Sequence, residues 1–385
     1  MNNTTVEQRI TSKGPKRILS LDGGGIRGVL TLEYLSWLEE VLRKRHGGDP
    51  EYRLCDYFDL IGGTSTGAII AVELALGHEV KRVQKLYHTL AKDVFKGNKI
   101  AIPGLAPKFP RGSLSELLKN EFGDITLGSP KIKTGLAIMT KRLDTNSAWI
   151  IHNNPLGKFY DPGGNACIPN KDYLLRQVVR ASAAAPFYFE PERIKIAEGL
   201  EGAFVDGGVS TFNNPALQLF MMATLRGYGY NWPMGEDNLL LISVGTGSEK
   251  TMATEAIFKM MALQVMGHSL VSLINDCDTL TQAMLQWFSG SRTAWLIDSE
   301  MGDLNDDLVA GLKLLTYIRY NVKFEREWIR DKLGMVLTDA QVNGLCGIDN
   351  IKSVRLLEDL GKKTAEKQVK EDHLSAIFDR YRHGR

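Results

Sequence analysis

Residues 17–35 of the chain read RILSLDGGGIRGVLTLEYL. An apolar run precedes three consecutive glycines, and leucines at helical spacing follow them. This order predicts a buried strand over 18–21, a tight turn and an amphipathic helix over 29–45. Because the glycines carry no side chains, their N–H groups can approach an anion at the start of the helix. The turn therefore predicts an anion site, and two kinds fit: the pyrophosphate of a dinucleotide, or the oxyanion of a reaction intermediate.

A second strand-turn-helix unit, residues 56–77, contains the segment GTSTG. Gly63, Ser65 and Gly67 form the pattern G-x-S-x-G between a predicted strand and a predicted helix, which is the context of a nucleophile elbow. The flanking glycines allow a sharp turn, and the serine hydroxyl lies at the positive end of the helix dipole. The pattern favours Ser65 as a nucleophile over a simple helix cap.

A serine nucleophile needs a base, and the segment FVDGG, residues 204–208, supplies a candidate. Asp206 ends a predicted strand there, whereas none of the seven histidines follows a predicted strand in a loop typical of a catalytic triad. The ordinary pKa of an aspartate is about 3.9, so the site must desolvate Asp206 if that residue is to act as a base.

The serine and the aspartate also help to choose between the two anion sites. The N–H groups of Gly24 and Gly25 can stabilise the oxygen of a tetrahedral intermediate, and Arg27 can add positive charge. A dinucleotide site would leave Ser65 and Asp206 without a role. In addition, no acidic residue ends a second strand about 20 residues after the glycines. The sequence therefore favours the oxyanion site.

The chain has 385 residues, 43% of them hydrophobic, and a formal net charge of +2, which is typical of a globular protein. Such a weak net charge argues against a nucleic-acid partner. The four cysteines lie far apart and form no zinc-type cluster, so we expect free thiols, a reducing compartment and no metal. The polar N-terminal segment and the lack of a long apolar run predict a cytoplasmic protein.

Strands and helices alternate along the chain up to about residue 250, which predicts an α/β fold around a mainly parallel sheet. The predicted division is a polar N-terminal tail over 1–15, a catalytic domain over 16–365 and a charged C-terminal tail over 366–385. Within the catalytic domain, residues 250–365 are predicted to be mostly helical.

Residues 95–111 interrupt this alternation with prolines, glycines and lysines, and predict a long surface loop. Apolar residues alternate there with basic residues, a composition suited to an anionic membrane surface. The residues singled out for membrane contact are Phe95, Lys96, Lys99, Ile102, Lys108 and Phe109. The alternative is that the apolar residues of this loop pack as a lid over the core.

Three motifs, DGGGIRG, GTSTG and DGG, occur in this order, with ASAAAPFYF before the last and NNPALQLFMMA after it. In this arrangement the chain closely resembles the patatin-like phospholipases. The resemblance covers residues 16–365 and implies a three-layer α/β/α sandwich related to the α/β-hydrolases. The site residues that it implies are Ser65 as nucleophile, Asp206 as base, and Gly23, Gly24, Gly25 and Arg27 as the oxyanion site.

The resemblance further implies hydrolysis of membrane phospholipid esters through an acyl-serine intermediate, without a cofactor. The protein would be peripheral at the inner face of the membrane when active. Bacterial members of similar length resemble antiviral effectors that a cyclic nucleotide activates, so such an activator is also expected. The same Ser-Asp dyad fits an amide hydrolase or an acyltransferase, and the fold fits a non-catalytic acyl-binding regulator. The sequence leaves the oligomeric state open.

Overall fold

A computed structural model describes residues 5–95, 108–109, 111–164, 167–249 and 262–379 of the chain. The strands are β1 (Lys16–Leu21), β2 (Leu60–Thr64), β3 (Gly135–Arg142), β4 (Ser147–His152), β5 (Glu192–Ala197), β6 (Leu200–Asp206), β7 (Leu239–Val244) and β8 (Thr316–Tyr320). The helices are α1 (Val6–Thr11), α2 (Gly28–Arg45), α3 (Leu54–Tyr57), α4 (Thr66–Ala75), α5 (Val80–Asp93), α6 (Arg111–Phe122), α7 (Leu175–Ser182), α8 (Ala216–Thr224), α9 (Ala262–Ser289), α10 (Arg326–Leu333), α11 (Asp339–Cys346) and α12 (Val354–Gln368).

The eight strands form one sheet in the order β5-β6-β3-β2-β1-β7-β8, with β4 paired to β3. β1, β2, β3, β7 and β8 run parallel to one another. β4 and β6 run antiparallel to β3, and β5 runs antiparallel to β6. The α/β fold with a mainly parallel central sheet, which the sequence predicts, is confirmed.

Helices cover both faces of the sheet, because successive side chains of each strand point to opposite faces. Leu19 and Leu21 of β1 belong to one buried cluster, which also contains side chains of α2 and α4. Ile18 belongs to a second buried cluster, which contains side chains of α8 and α9. Every residue of β1 and of β7 is buried, and β7 consists almost entirely of apolar residues, as is typical of a strand covered on both faces. The structure therefore has three layers.

Both ends of the described chain pack against the body of the protein. Ile10 of α1 is buried, and the Arg9 guanidinium donates to the Cys55 carbonyl oxygen at 2.7 Å. Near the other end, Arg17 Nε donates to the Phe378 carbonyl oxygen at 2.7 Å. These segments are not free tails where the structure describes them, because their side chains and carbonyl groups have buried partners. The division of the chain into domains stays a prediction.

The part of the chain after residue 262 is largely helical, and its longest helix, α9, has 28 residues. Within the described ranges, no helix combines the length and the apolarity that crossing a bilayer requires.

Candidate active site

Ser65 lies on a strained turn between the end of β2 and the start of α4. Its backbone angles are φ 55° and ψ −119°, and a positive φ is costly for any residue with a side chain. The two flanking glycines make the turn sterically feasible. A Cβ at Gly63 would lie 2.2 Å from the Gly67 carbonyl oxygen, and a Cβ at Gly67 would lie 2.3 Å from the Leu21 carbonyl oxygen. The geometry is that of a nucleophile elbow.

Ser182, at the end of α7, fixes the backbone of this elbow. Its hydroxyl accepts from the Ser65 N–H at 2.9 Å and donates to the Met139 carbonyl oxygen at 2.6 Å. The elbow is thereby tied to β3 through one buried side chain. Sequence reasoning missed this residue, although the run of small residues ASAAAP around it marks a place where helix and strand approach closely.

β2 and β6 meet end to end along one edge of β3, whose other edge is occupied by β4. β2 runs parallel to β3 and pairs its last residue, Thr64, with Met139. β6 runs antiparallel and pairs its last residue, Asp206, with the next residue of β3, Thr140. The ends of both strands therefore converge on the same point, and the structure brings Ser65 and Asp206 together. The sequence indicates that Asp206 ends a strand, but not that this strand is antiparallel.

Asp206 is buried, with 5% of its surface exposed. Its Oδ1 accepts from the Gly208 N–H at 2.7 Å, and no Lys, Arg or His of the described chain forms an ion pair with it. Burial raises the pKa of Asp206 to about 6, although the neighbouring Ser65 hydroxyl and the Gly208 N–H both act to lower it. A carboxylate that is desolvated, unpaired and next to a serine hydroxyl has the properties of a general base.

The backbone of residues 22–27 leaves two N–H groups free to face the site. The N–H groups of Asp22, Gly23 and Ile26 donate to the carbonyl oxygens of Val244, Asn213 and Ile348, and that of Arg27 donates to Gly24. Those of Gly24 and Gly25 donate to no group among the described residues, and both glycines line the cavity that contains Ser65. Gly23 was predicted as part of the oxyanion site, but its N–H is already occupied by Asn213.

Close packing also requires glycine at positions 23, 24 and 25, because a side chain at any of them would clash with a neighbouring segment. A Cβ at Gly23 would lie 2.5 Å from Asn213 Oδ1, and one at Gly24 would lie 2.3 Å from Thr246 Oγ1. At Gly25, where φ is 58°, a Cβ would lie 2.2 Å from the Ile348 carbonyl oxygen. The turn is thus enclosed by three segments that are distant in sequence.

Arg27 lines the same cavity and follows the glycine turn directly. Its guanidinium carbon lies 5.9 Å from the centre of the Phe324 ring, and Nε has no hydrogen-bond partner among the described atoms. Burial lowers the pKa of Arg27, although acidic groups nearby, Glu249 first among them, act to raise it. A cation that is poorly compensated beside a cavity can attract an anionic group of a ligand or intermediate.

A second buried carboxylate, Asp22, begins the glycine turn and is paired with Arg319 of β8. The Arg319 Nη1 and Nη2 atoms lie 2.9 and 2.6 Å from the two Asp22 carboxylate oxygens. Asp278 of α9 lies close by and accepts from Asn213 Nδ2 at 2.8 Å. Burial, reinforced by the charge of Asp22, raises the pKa of Asp278 to about 7. Sequence reasoning missed this network, since its members come from four separate segments.

The cavity that contains Ser65 and Asp206 has a volume of about 600 Å³, within the range of small-molecule sites. No histidine is among its described lining residues, whose carboxylates are Asp22, Asp206, Glu249 and Asp278. Of these, Asp206 is the base candidate because it adjoins the Ser65 hydroxyl. Apolar side chains on α4, α5, α6 and α9, or directly after α5, form much of its wall. They are Ile69, Leu90, Val94, Leu114, Leu270, Val271 and Ile274.

The structure describes only part of the predicted membrane loop. Phe109 is 1% exposed and packs edge-on against Phe95 and face-on against Tyr188, with ring centroids at 5.5 and 6.0 Å. Lys108 forms an ion pair with Asp349. Membrane contact by Phe109 is therefore wrong for this structure, since the aromatic cluster buries the side chain. Lys96, Lys99 and Ile102 lie outside the described residues.

One group of potential metal ligands occurs at the far end of α4. Glu73, His78 and Glu121 have ligand atoms within 4.8 Å of one another. Arg82, however, donates to Glu73 at 2.9 Å and to Glu121 at 2.5 Å, so its guanidinium already occupies the space between the two carboxylates and offsets part of their charge. The arrangement is a charge network on the surface of the helical layer, away from Ser65.

Sequence comparisons match the chain to a known family. A family profile described as patatin-like phospholipase matches residues 19–220, which include all three motifs. The chain is 29% identical over 286 residues to patatin group J-1 of Solanum tuberosum, covering 67% of this chain and 70% of that protein. It is 29% identical over 269 residues to patatin-01 of the same plant, covering 65% and 66%. Among solved structures, VipD from Legionella pneumophila aligns with a TM-score of 0.35 and 14% identity, over 90% of this chain and 67% of that one.

Proposed function

Because the chain belongs to the patatin-like phospholipase family, we propose that it is a lipid acyl hydrolase that cleaves ester bonds of membrane glycerophospholipids. The observation that carries this proposal is the position of Ser65 beside the buried, unpaired carboxylate of Asp206. The apolar wall of the cavity suits a fatty acyl chain.

In the proposed mechanism, Ser65 Oγ attacks the acyl carbonyl carbon while Asp206 accepts the hydroxyl proton. The N–H groups of Gly24 and Gly25 donate to the resulting oxyanion, and Arg27 contributes positive charge. The ester C–O bond then breaks, and Asp206 returns the proton to the leaving alcohol. Asp206 then deprotonates a water molecule, which attacks the acyl-serine. As the acyl C–O bond breaks, Asp206 returns this proton to Ser65 Oγ and the fatty acid is released.

The decisive experiment compares the wild type with Ser65→Ala on phospholipid vesicles, with released fatty acids and lysolipids measured by mass spectrometry. We expect Ser65→Ala to lose at least about 10³-fold in hydrolysis while its melting temperature stays the same. A fluorophosphonate probe should label the wild type and not the variant. Equal hydrolysis by both proteins would refute the proposal, whereas labelling without lipid hydrolysis would point to the amide hydrolase or acyltransferase alternative.

An antiviral role and a cyclic-nucleotide activator remain predictions from the family resemblance. Addition of cyclic nucleotides to the same vesicle assay tests the activator directly.

Membrane contact, the other part of the proposal, is assigned to α9. This helix lines the cavity with Leu270 and Ile274, while Leu273 and Leu280 are 58% and 60% exposed on its outer side. From 262 to 289 α9 contains no Lys or Arg. Exposed leucines on a helix can insert into the boundary between the headgroups and the acyl chains of a bilayer. Because α9 borders the substrate cavity, this contact would lie beside the point where a lipid enters.

The double variant Leu273→Ser/Leu280→Ser tests this assignment. We expect binding to zwitterionic vesicles and hydrolysis of vesicle lipid to fall about tenfold or more. Each leucine would bury its exposed surface in the bilayer, and full burial of one leucine contributes roughly 1.5–3 kcal/mol. Hydrolysis of a soluble short-chain ester should not change. Leu200→Ser, at a leucine that is 50% exposed on β6, is the matched control. Unchanged vesicle binding would refute the assignment, and so would a change in oligomeric state, which would indicate that a second copy covers α9.

A further inference from the structure

Thr246 follows β7 and packs directly against the glycine turn. Its side chain is buried, and its Oγ1 donates to the Gly23 carbonyl oxygen at 2.7 Å. The same Oγ1 is the atom that a Cβ at Gly24 would meet at 2.3 Å. Thr246 therefore contacts both residues of the Gly23–Gly24 peptide, and nothing in the mechanism above uses its hydroxyl.

The hydrogen bond to Gly23 determines where the Gly24 N–H points. In a trans peptide the carbonyl oxygen and the N–H point in opposite directions, and the described chain contains no cis peptide. The Gly24 N–H, one of the two free donors of the turn, must therefore point away from Thr246. The next peptide is held in the same way, because the Gly24 carbonyl oxygen accepts from the Arg27 N–H at 3.2 Å.

The threonine is itself held rigidly by its neighbours in the chain. The Gly245 N–H donates to the Tyr320 carbonyl oxygen at 2.9 Å, and the Gly247 N–H donates to Asn321 Oδ1 at 2.8 Å. Thr31 of α2 donates to the Gly245 carbonyl oxygen at 2.8 Å. A rigid side chain is needed here because glycine peptides rotate easily. An oxyanion donor is most effective when it is oriented before the reaction begins.

We infer that Thr246 is a positioning residue of the oxyanion site, whose hydroxyl holds the Gly23–Gly24 peptide with its N–H facing the cavity. The inference rests on the proposed acyl hydrolase function. Without the hydroxyl, the peptide loses its anchor and the Gly24 N–H samples other orientations. The transition state then loses part of a donor, whereas binding of the ground state, whose ester carbonyl is still uncharged, is little affected.

The experiment measures kcat, KM and melting temperature for Thr246→Val, which keeps the shape of the side chain and removes the donor, and for Thr246→Ser, which keeps the donor. With a soluble short-chain ester, kcat of Thr246→Val should fall about tenfold to 100-fold, and KM should change less than about twofold. Removal of a whole oxyanion donor costs about 10²–10³ in kcat. The kcat of Thr246→Ser should lie within about threefold of the wild-type value. The rate of fluorophosphonate labelling should change in parallel with kcat.

Thr364→Val is the matched control, because Thr364 is also buried and also donates to a backbone carbonyl, that of Leu360 in α12. It should lose stability and keep its kcat. If Thr246→Val does not fold, Thr246→Cys, a weaker donor of similar size, should show an intermediate kcat. An unchanged kcat in folded Thr246→Val overturns this inference alone. A wild type that neither hydrolyses esters nor reacts with fluorophosphonate overturns the proposed function and this inference with it.

Discussion

Asp22 and Asp206 begin the same tripeptide, Asp-Gly-Gly, and each follows the last residues of a strand or ends one. Both carboxylates are buried, with 3% and 5% of their surfaces exposed. Asp22 forms two short contacts with the Arg319 guanidinium, whereas Asp206 accepts from the Gly208 N–H and adjoins the Ser65 hydroxyl. The same local sequence therefore produces a structural ion pair in one place and a base candidate in the other.

The difference arises from what the sheet places opposite each aspartate. β8 runs beside β7, and Arg319 reaches from it to Asp22 across the end of the sheet. Burial lowers the pKa of Arg319, but the Asp22 charge more than reverses this effect and the net pKa is raised. At Asp206 the converging strand is β2, which brings a hydroxyl and no cation. Burial also raises the pKa of Asp22, because desolvation outweighs the opposing charge of Arg319. The two carboxylates therefore differ in their partners, a cation at Asp22 and a hydroxyl at Asp206.

Neutralising each aspartate in turn should produce the largest difference between Asp22 and Asp206. Asp206→Asn should lose at least about 10³-fold in ester hydrolysis. Its stability at neutral pH should rise, since a shift of the pKa from 3.8 to about 6 corresponds to roughly 3 kcal/mol of cost from the buried charge. Asp22→Asn should lose about 3–5 kcal/mol of stability, because the Arg319 charge is left buried and unpaired. Thermal melts and specific activity per folded protein check both.

Asp144→Asn is the control for the second variant. Two nitrogen atoms of the Arg142 guanidinium also donate to the Asp144 carboxylate. Asp144, however, lies at the surface, where such an ion pair contributes below about 1 kcal/mol to stability. A stable, inactive Asp22→Asn beside an active Asp206→Asn would reverse the two assignments. Destabilisation by both aspartate variants would contradict the expected cost of the buried Asp206 charge.

The local parts of this site could be predicted from the sequence, and the long-range parts could not. The elbow around Ser65 and the position of Asp206 at a strand end follow from glycine spacing and strand patterns. The partner of Asp22 is 297 residues away, and nothing local marks Arg319 as that partner. The antiparallel direction of β6 is likewise a property of the whole sheet. Phe109 was misassigned because an alternating apolar and basic loop has the same composition whether its aromatic residues face a membrane or a core.

A smaller effect, the pH dependence of the reaction, sharpens the distinction between the two aspartates. Asp206 must be ionised to accept a proton, and its pKa is raised to about 6 by burial. For a soluble ester, kcat/KM should therefore be flat above about pH 7 and fall about tenfold for each unit below pH 6. An ordinary aspartate would place this fall near pH 4.

The same shift links activity to stability with opposite signs. Folded Asp206 binds more protons than unfolded Asp206 between pH 3.8 and about 6, so the contribution of this group to stability decreases as pH rises through that window. The enzyme thus gains activity over the range in which this group stabilises it less. Asp278, with a pKa raised to about 7, titrates close to that range and must be separated from Asp206. If Asp206 is the base, Asp278→Asn should leave the acidic limb of the pH profile near pH 6. If the acidic limb of the pH profile moves in Asp278→Asn, the group that titrates there belongs to the network around Asp22 and Arg319. Asp206 would then not be the titrating base.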